Sequence, residues 1–451
     1  VIDLRPYQHE AVALVREAMC DGGKRVVLVL PTGAGKTRTG SAIVERAILR
    51  KRSVVWLAHR TELIEQTAKT LHGFGLPVGV IAASSAWPID ASAPVQICSI
   101  QTLLAREHRP PADLLVWDEC HHASESAPAW AALLSAYASV RAVGLTATPE
   151  RGDGSGLGPL FDRLVVGTTV RALTEDGHLV PCEVSRPPRL LKPNQLAREP
   201  LAAYLADAPG EQGFLFAKSV EEAQRYADEF TAAGIRAVCI HAGTPPHDRQ
   251  VAIELFKQGV VRILSNVYIF TEGTDLPMAS VCILARGAST AGIYLQMVGR
   301  VLRPHRGKKR AMLIDLRGVS WVHMMPEDER LYRLHGKGIA LSEVTKCKVC
   351  SQALGESGYP CACGYAPQAG GDDGAASSEI VDEPMVKYAR MIAQGPTQRL
   401  ETLVRWLCAA DAKGHKRSSV RHKWRAVYGE TPDAAAWARA CVEADRAAVA
   451  A

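Results

Sequence analysis

The stretch Leu30-Pro31-Thr32-Gly33-Ala34-Gly35-Lys36-Thr37 lies between an apolar run at 26–30 and a helical stretch at 38–49. A short apolar run bounded by turn residues predicts a buried strand. A Gly-rich turn joining strand to helix aims successive backbone N–H groups at one point, and the helix N-terminus adds partial positive charge there. The chain is therefore expected to build an α/β sheet around a polyphosphate site. Thr32, Gly33 and Gly35 would form the cradle, Lys36 would reach the β- and γ-phosphates, and the Thr37 hydroxyl would hold Mg²⁺. Leu30 stands where the strict phosphate-loop pattern has Gly.

The same rhythm continues. Runs at 53–58, 95–100, 114–117 and 142–145 read as further strands of a parallel sheet, which makes 1–180 a first domain. Pro181, Pro187, Pro188 and Pro193 mark 181–205 as a linker. Runs at 214–216, 237–240, 261–265, 280–285 and 311–314 predict a second α/β domain over 206–335. Asp118-Glu119-Cys120-His121 directly follows the run at 114–117, so both acids are expected at the carboxyl edge of the first sheet, where open α/β folds bind ligands. There Asp118 would hold Mg²⁺ through water, and Glu119 could polarise a water for in-line attack on a γ-phosphate.

With this acid pair the chain resembles a superfamily 2 helicase of the DEAD/H-box type, its box written DECH. The resemblance covers about residues 3–317 and rests on motifs in the family's order. Leu4-Arg5-Pro6-Tyr7-Gln8 looks like the adenine-reading motif, with Gln8 suited to a base edge and Arg5 to stacking. Leu57-Ala58-His59-Arg60-Thr61-Glu62-Leu63 looks like motif Ia, and Ser99-Ile100-Gln101-Thr102-Leu103 like the next strand-contacting motif. Thr146-Ala147-Thr148-Pro149 looks like motif III, which in the family couples hydrolysis to strand movement. In the second half, Phe214-Leu215-Phe216-Ala217-Lys218-Ser219 resembles motif IV, and His241-Ala242-Gly243-Thr244 followed by Arg249 resembles motif IVa. Thr271-Glu272-Gly273-Thr274-Asp275-Leu276-Pro277 looks like motif V, and Gln296-Met297-Val298-Gly299-Arg300-Val301-Leu302-Arg303-Pro304 like motif VI.

The resemblance implies two tandem RecA-like domains, with ATP and Mg²⁺ between them. Gly273 and Asp275 would approach the nucleotide. Arg60, Gln101, Thr102, Arg249 and Thr271 would contact a nucleic-acid strand, with His121, Thr146 and Thr148 coupling the two events. Arg300 and Arg303 lie three apart, so on a helix they would share one face and could stabilise charge on a transferring phosphoryl group, with Gln296 beside them. The loop and the acids sit in one half and the arginines in the other, so ATP would be fully liganded only on closure. Motif style and a zinc module after the motor resemble bacterial or phage repair helicases related to the RadD and XPB groups. DNA is the expected partner; an RNA helicase and a nucleotide-switched binding or annealing protein are the alternatives.

Four of the 12 cysteines cluster as Cys347-x₂-Cys350-x₁₀-Cys361-x-Cys363, which predicts one tetrahedral Zn²⁺ in a ribbon or knuckle at 340–366. The scatter of the remaining cysteines predicts a reducing, cytoplasmic setting. Val1-Ile2-Asp3-Leu4-Arg5 lacks a signal-peptide pattern, and no run of 18 apolar residues occurs, so no membrane span is expected. A Gly-, Ala- and Ser-rich stretch makes 367–384 an expected flexible linker. The rest, 385–451, reads as a basic helical module. The segment 386–451 carries 12 Lys and Arg against 6 Asp and Glu, so the net charge of +6 resides there. Lys416, Arg417 and Arg421 would neutralise phosphates and Trp424 could stack on a base. The basic run at 304–310 reads as a hairpin loop after motif VI, and His59 reads as a structural or surface residue.

Overall fold

The computed structural model describes residues 2–122, 132–335, 339–340 and 378–389 apart from short gaps (84, 86, 88–89, 107–108, 134, 152–155 and 268–274), with isolated positions 407, 420, 437 and 441. The first lobe is one parallel sheet of β1 (Arg25–Val29), β2 (Val54–Ala58), β3 (Val78–Ile81), β4 (Val95–Ser99), β5 (Leu114–Asp118), β6 (Arg141–Thr146) and β7 (Arg163–Val166). Its order is β3-β4-β2-β5-β6-β1-β7. Burial on both faces explains why these strands read as unbroken apolar runs. In β1, Val26 and Leu28 enter one core cluster, while Val27 and Val29 enter the cluster on the other face. β3 and β7, the two edge strands, escape the sequence reading; β7 has no buried residue.

The second lobe contains β8 (Cys182–Arg186), β9 (Gln195–Leu196), β10 (Gly213–Phe216), β11 (Ala237–Ile240), β12 (Ile263–Asn266), β13 (Val281–Leu284) and β14 (Ala311–Asp315). A two-stranded ribbon of β15 (Arg330–Leu331) and β16 (Ile339–Ala340) comes next, then β17 (Glu379–Ile380) and β18 (Val386–Ala389). The main sheet runs β11-β12-β10-β13-β14-β8-β18, parallel except for β18, which lies antiparallel on β8.

Two segment expectations change. The expected linker 181–205 holds β8, β9 and the start of the helix Pro200–Asp207. Pro181 and Pro187 flank β8 rather than interrupt it, a placement compatible with a strand, and Cys182 and Val184 are buried in the second sheet. The expected boundary between a flexible linker and a helical module, near 385, falls inside a docked segment. Ser378 N donates to Glu222 Oε1 (2.7 Å), β17 pairs with β9, Lys387 Nζ meets Asp207 Oδ1 (2.8 Å), and β18 covers the edge of β8. Covering satisfies backbone groups that a bare edge would expose. It also seats Tyr388 over the Arg186 guanidinium, whose carbon lies 4.5 Å from that ring and 3.6 Å from the Trp321 ring. Cys347, Cys350, Cys361 and Cys363, and Lys416, Arg417, Arg421 and Trp424, lie outside the described residues. Among the described residues, no helix is long and apolar enough to cross a membrane.

A strap joins the lobes. After β14 the chain returns to the first lobe, where Gly158 N donates to Leu334 O (2.7 Å) and Tyr332 and Leu334 pack against the cluster around Trp117 and Phe161.

Candidate nucleotide site at the lobe seam

The phosphate loop runs from the end of β1 to the helix Lys36–Ile48. Gly33 (φ 89°) and Gly35 (φ 80°) occupy the left-handed region that side chains resist. The loop is braced from below: Tyr7 Oη and Gln8 Nε2 each donate to Ala34 O at 2.9 Å. Gln8 Oε1 accepts from Arg5 N at 3.0 Å. Both ends of the Gln8 amide are thus engaged with backbone in this state, and reading a base edge would require it to release them. Arg5 is exposed beside it.

The acids stand at the carboxyl edge, as the strand pattern requires. Asp118 ends β5 and accepts Glu119 N at 3.1 Å. Glu119 has φ 48°, a left-handed conformation costing on the order of 1–3 kcal/mol for a non-Gly residue. That turn brings Glu119 Oε1 to 3.3 Å from Lys36 Nζ and Oε2 to 3.4 Å from His121 Nδ1. His121 Nδ1 is also 3.0 Å from Thr146 Oγ1, which donates its only proton to Thr148 O at 2.7 Å. Thr146 must then accept from His121 Nδ1–H, and in the neutral ring Nε2 becomes an acceptor. Across the seam, Gln296 Nε2 lies 3.2 Å from that nitrogen and donates to it. Lys36, Glu119, His121 and Gln296 therefore lie in a row, each polar side chain within 3.4 Å of the next. Cys120 takes no part: burial, reinforced by the Glu119 and Asp118 charges, pushes its thiol well up.

The second lobe meets the loop through the helix Ala291–Gly299. Gly292, Gln296 and Gly299 recur at helical spacing and present one face to the first lobe. A Cβ on Gly292 would lie 2.7 Å from Thr148 Oγ1, and one on Gly299 would lie 2.5 Å from Thr32 Cβ. A Cβ on Gly33 would lie 3.3 Å from Arg303 Cγ. The arginines do not share a helix face as their spacing predicts. The helix stops at Gly299, Arg300 is its buried C-cap, and Arg303 lies beyond it. Arg303 nevertheless reaches the phosphate loop, with its guanidinium paired to Asp275.

Gly299→Ala is expected to wedge the seam open through that contact with Thr32. Turnover should fall at least about 10-fold, a typical scale for a misplaced reacting group, with the melting temperature little changed. Rates and thermal melts check this; unchanged turnover would show that the seam need not close this tightly.

Of the remaining predicted residues, three follow strands of the first sheet and one follows a strand of the second. Arg60 caps the helix Thr61–Gly73 after β2, and Gln101 and Thr102 lie on the helix Ile100–Leu104 after β4. Arg249 lies on the second lobe's helix Pro246–Lys257. Thr271 and Gly273 fall outside the described residues. Sequence reasoning missed the Gly292–Gly299 stripe, although its spacing around Gln296 carries the signal. It also set His59 aside, yet the His59 ring lies 4.1 Å from that of His122, which lies 4.3 Å from that of His121.

Two largely parallel sheets meeting across a phosphate loop, paired acids and an arginine are consistent with a tandem RecA-like nucleotide-binding fold. Residues 1–151 match the family described as Type III restriction enzyme, res subunit, and residues 195–305 match the Helicase conserved C-terminal domain. The 51.5 kDa protein of Lactococcus phage (isolate 7-9) is 28% identical, over 68% of this chain and 69% of that protein. The putative ATP-dependent helicase IRC3 of Saccharomyces cerevisiae is 26% identical, over 71% of this chain and 52% of its own length. The DNA 3'-5' translocase XPB2 of Sulfurisphaera tokodaii is 24% identical, over 70% and 81%. The chain thus spans about half of the yeast relative's length. In fold it is similar to the ATP-dependent Type ISP restriction-modification enzyme LlaBIII bound to DNA, with a TM-score of 0.54 at 18% identity, over 70% of this chain and 28% of that one. The two matched domains, together with the helicase-named relatives, support a superfamily 2 helicase.

Proposed function

We propose that this chain is a DNA-dependent ATPase that couples ATP hydrolysis to movement along, or unwinding of, DNA in repair or replication. The observation that carries the reading is the row of polar side chains from Lys36 through Glu119 and His121 to Gln296, which makes the fuel site a property of both lobes. Lys36 would hold the β- and γ-phosphates on the loop of Thr32, Gly33 and Gly35. The Thr37 hydroxyl and the Asp118 carboxylate are hard oxygen donors of the kind Mg²⁺ takes, and the ion would neutralise charge on the phosphates. Glu119 would orient the attacking water, and Arg300 and Arg303 would meet charge developing on the γ-phosphoryl. Arg5 and Gln8 would contact the base, and Gly273 and Asp275 the sugar and phosphates. Arg60, Gln101, Thr102, Arg249 and Thr271 would face the strand, and His121, Thr146 and Thr148 would relay closure. Cys347, Cys350, Cys361 and Cys363 would hold a structural Zn²⁺, and Lys416, Arg417, Arg421 and Trp424 would add a second nucleic-acid contact.

The test is ATP turnover with single-stranded, duplex and forked DNA and with RNA of matched length. DNA should stimulate strongly and RNA less. Equal or reversed stimulation would replace the DNA reading by an RNA one, and no stimulation would remove both.

A further inference from the structure

The basic run Pro304-His305-Arg306-Gly307-Lys308-Lys309-Arg310 is not simply a solvated loop. Gly307 (φ 80°) and the bond from Lys308 N to His305 O (3.0 Å) fold the chain back on itself. Lys308 then points inward, and its Nζ donates to Pro277 O (3.1 Å), Ala279 O (2.6 Å) and Arg303 O (2.8 Å). An ammonium has three N–H donors, and each has a backbone carbonyl here. Pro277 and Ala279 lie just after Asp275, whose carboxylate pairs with the Arg303 guanidinium. Arg303 is therefore held at both ends by one short segment: its side chain by Asp275, and its backbone, through Lys308, by Pro277 and Ala279.

We propose that Lys308 is a positioning residue for Arg303, fastening the end of motif V to the end of motif VI so that the arginine stands over the phosphate loop. The proposal rests on the ATPase reading above. It has a physical motive in the position of Arg303 past the helix Ala291–Gly299, where the helical hydrogen-bond ladder no longer fixes the backbone. An apolar side chain at 308 would leave three carbonyls without this donor and let the 300–303 turn drift relative to Gly33.

The clip is also pH-sensitive. The groups facing the ammonium are Arg303, Cys182 and Glu211. Burial, reinforced by Arg303 and opposed by Cys182 and Glu211, brings Lys308 from 10.5 down to about 7. Between those values the unfolded chain binds the proton more tightly than the folded one, so this group's contribution to stability rises with pH across the window. The neutral amine meanwhile has only two N–H donors for three carbonyls, so the hold on Arg303 weakens. Stability and turnover should thus move in opposite directions, which a purely structural lysine would not produce.

The experiment measures DNA-stimulated kcat, KM for ATP and thermal melting for wild type, Lys308→Met and Lys308→Arg from about pH 6 to about pH 9, a range that brackets the titration. Wild-type kcat should fall through about pH 7 as Lys308 deprotonates. Lys308→Met should be slow at every pH by about 10- to 100-fold, with KM little changed. Lys308→Arg keeps the charge, so it should recover turnover and lose the alkaline fall. A flat wild-type profile overturns the proposal even if Lys308→Met does not fold, as does a folded Lys308→Met turning over at the wild-type rate. An active wild type with either result sinks this inference alone; a wild type without DNA-stimulated turnover sinks the ATPase reading with it.

Discussion

Glu119→Gln should yield a protein that binds ATP and scarcely hydrolyses it. The substitution keeps the side chain's size and removes only its charge and basicity. A positioned general base is worth about 10²- to 10⁴-fold, so turnover should fall by that factor. Affinity should hold or improve, because Lys36 loses the carboxylate 3.3 Å from its Nζ and is released to the phosphates. The left-handed backbone at Glu119 tolerates Gln no worse than Glu, so folding should not confound the result. Equilibrium binding of a fluorescent ATP analogue, set beside steady-state turnover, separates the two effects. A variant that turns over within a few-fold of wild type would remove Glu119 from the chemistry.

Arg303→Ala should be at least as damaging by a different route. An arginine supplied to a transferring phosphoryl group contributes about 10³- to 10⁵-fold, and the loss should appear in kcat. The phosphate loop, Thr37 and Asp118 all belong to the first lobe, so ATP binding should change far less. Asp275 loses its partner, but its side chain is 66% exposed, so water solvates the carboxylate and the second lobe stays folded. Turnover and ATP affinity of the folded variant check this; a comparable loss in both would mean that Arg303 holds the ground state.

Much of this site is legible in the chain. Parallel strands buried on both faces announce themselves as apolar runs, and topology places the residues just past their carboxyl ends. That is why Lys36, Asp118, Thr146 and Gln101 share an edge. The features that escape the sequence depend on contacts made at long range. The helix stop at Gly299 hides behind motif spacing that continues past it, so Arg303 gains its position from Asp275 and Lys308 rather than from a helix face. β8 hides among prolines that only flank it. Gln8 sits beneath the phosphate loop with its amide taken by Arg5 N and Ala34 O, which no pattern of residue types reveals. The left-handed turn at Glu119, on which the contacts to Lys36 and His121 depend, is likewise invisible until the backbone is seen.

The central claim is that a single chain completes its own fuel site, with Glu119 on one lobe and Arg303 on the other. Mixing equal amounts of Glu119→Gln and Arg303→Ala protein tests it most directly. If the arginine serves its own chain, the mixture stays as inactive as either variant at every concentration. Turnover that reappears on mixing and grows with protein concentration would show the arginine reaching a neighbouring chain's phosphate loop, and would contradict the account.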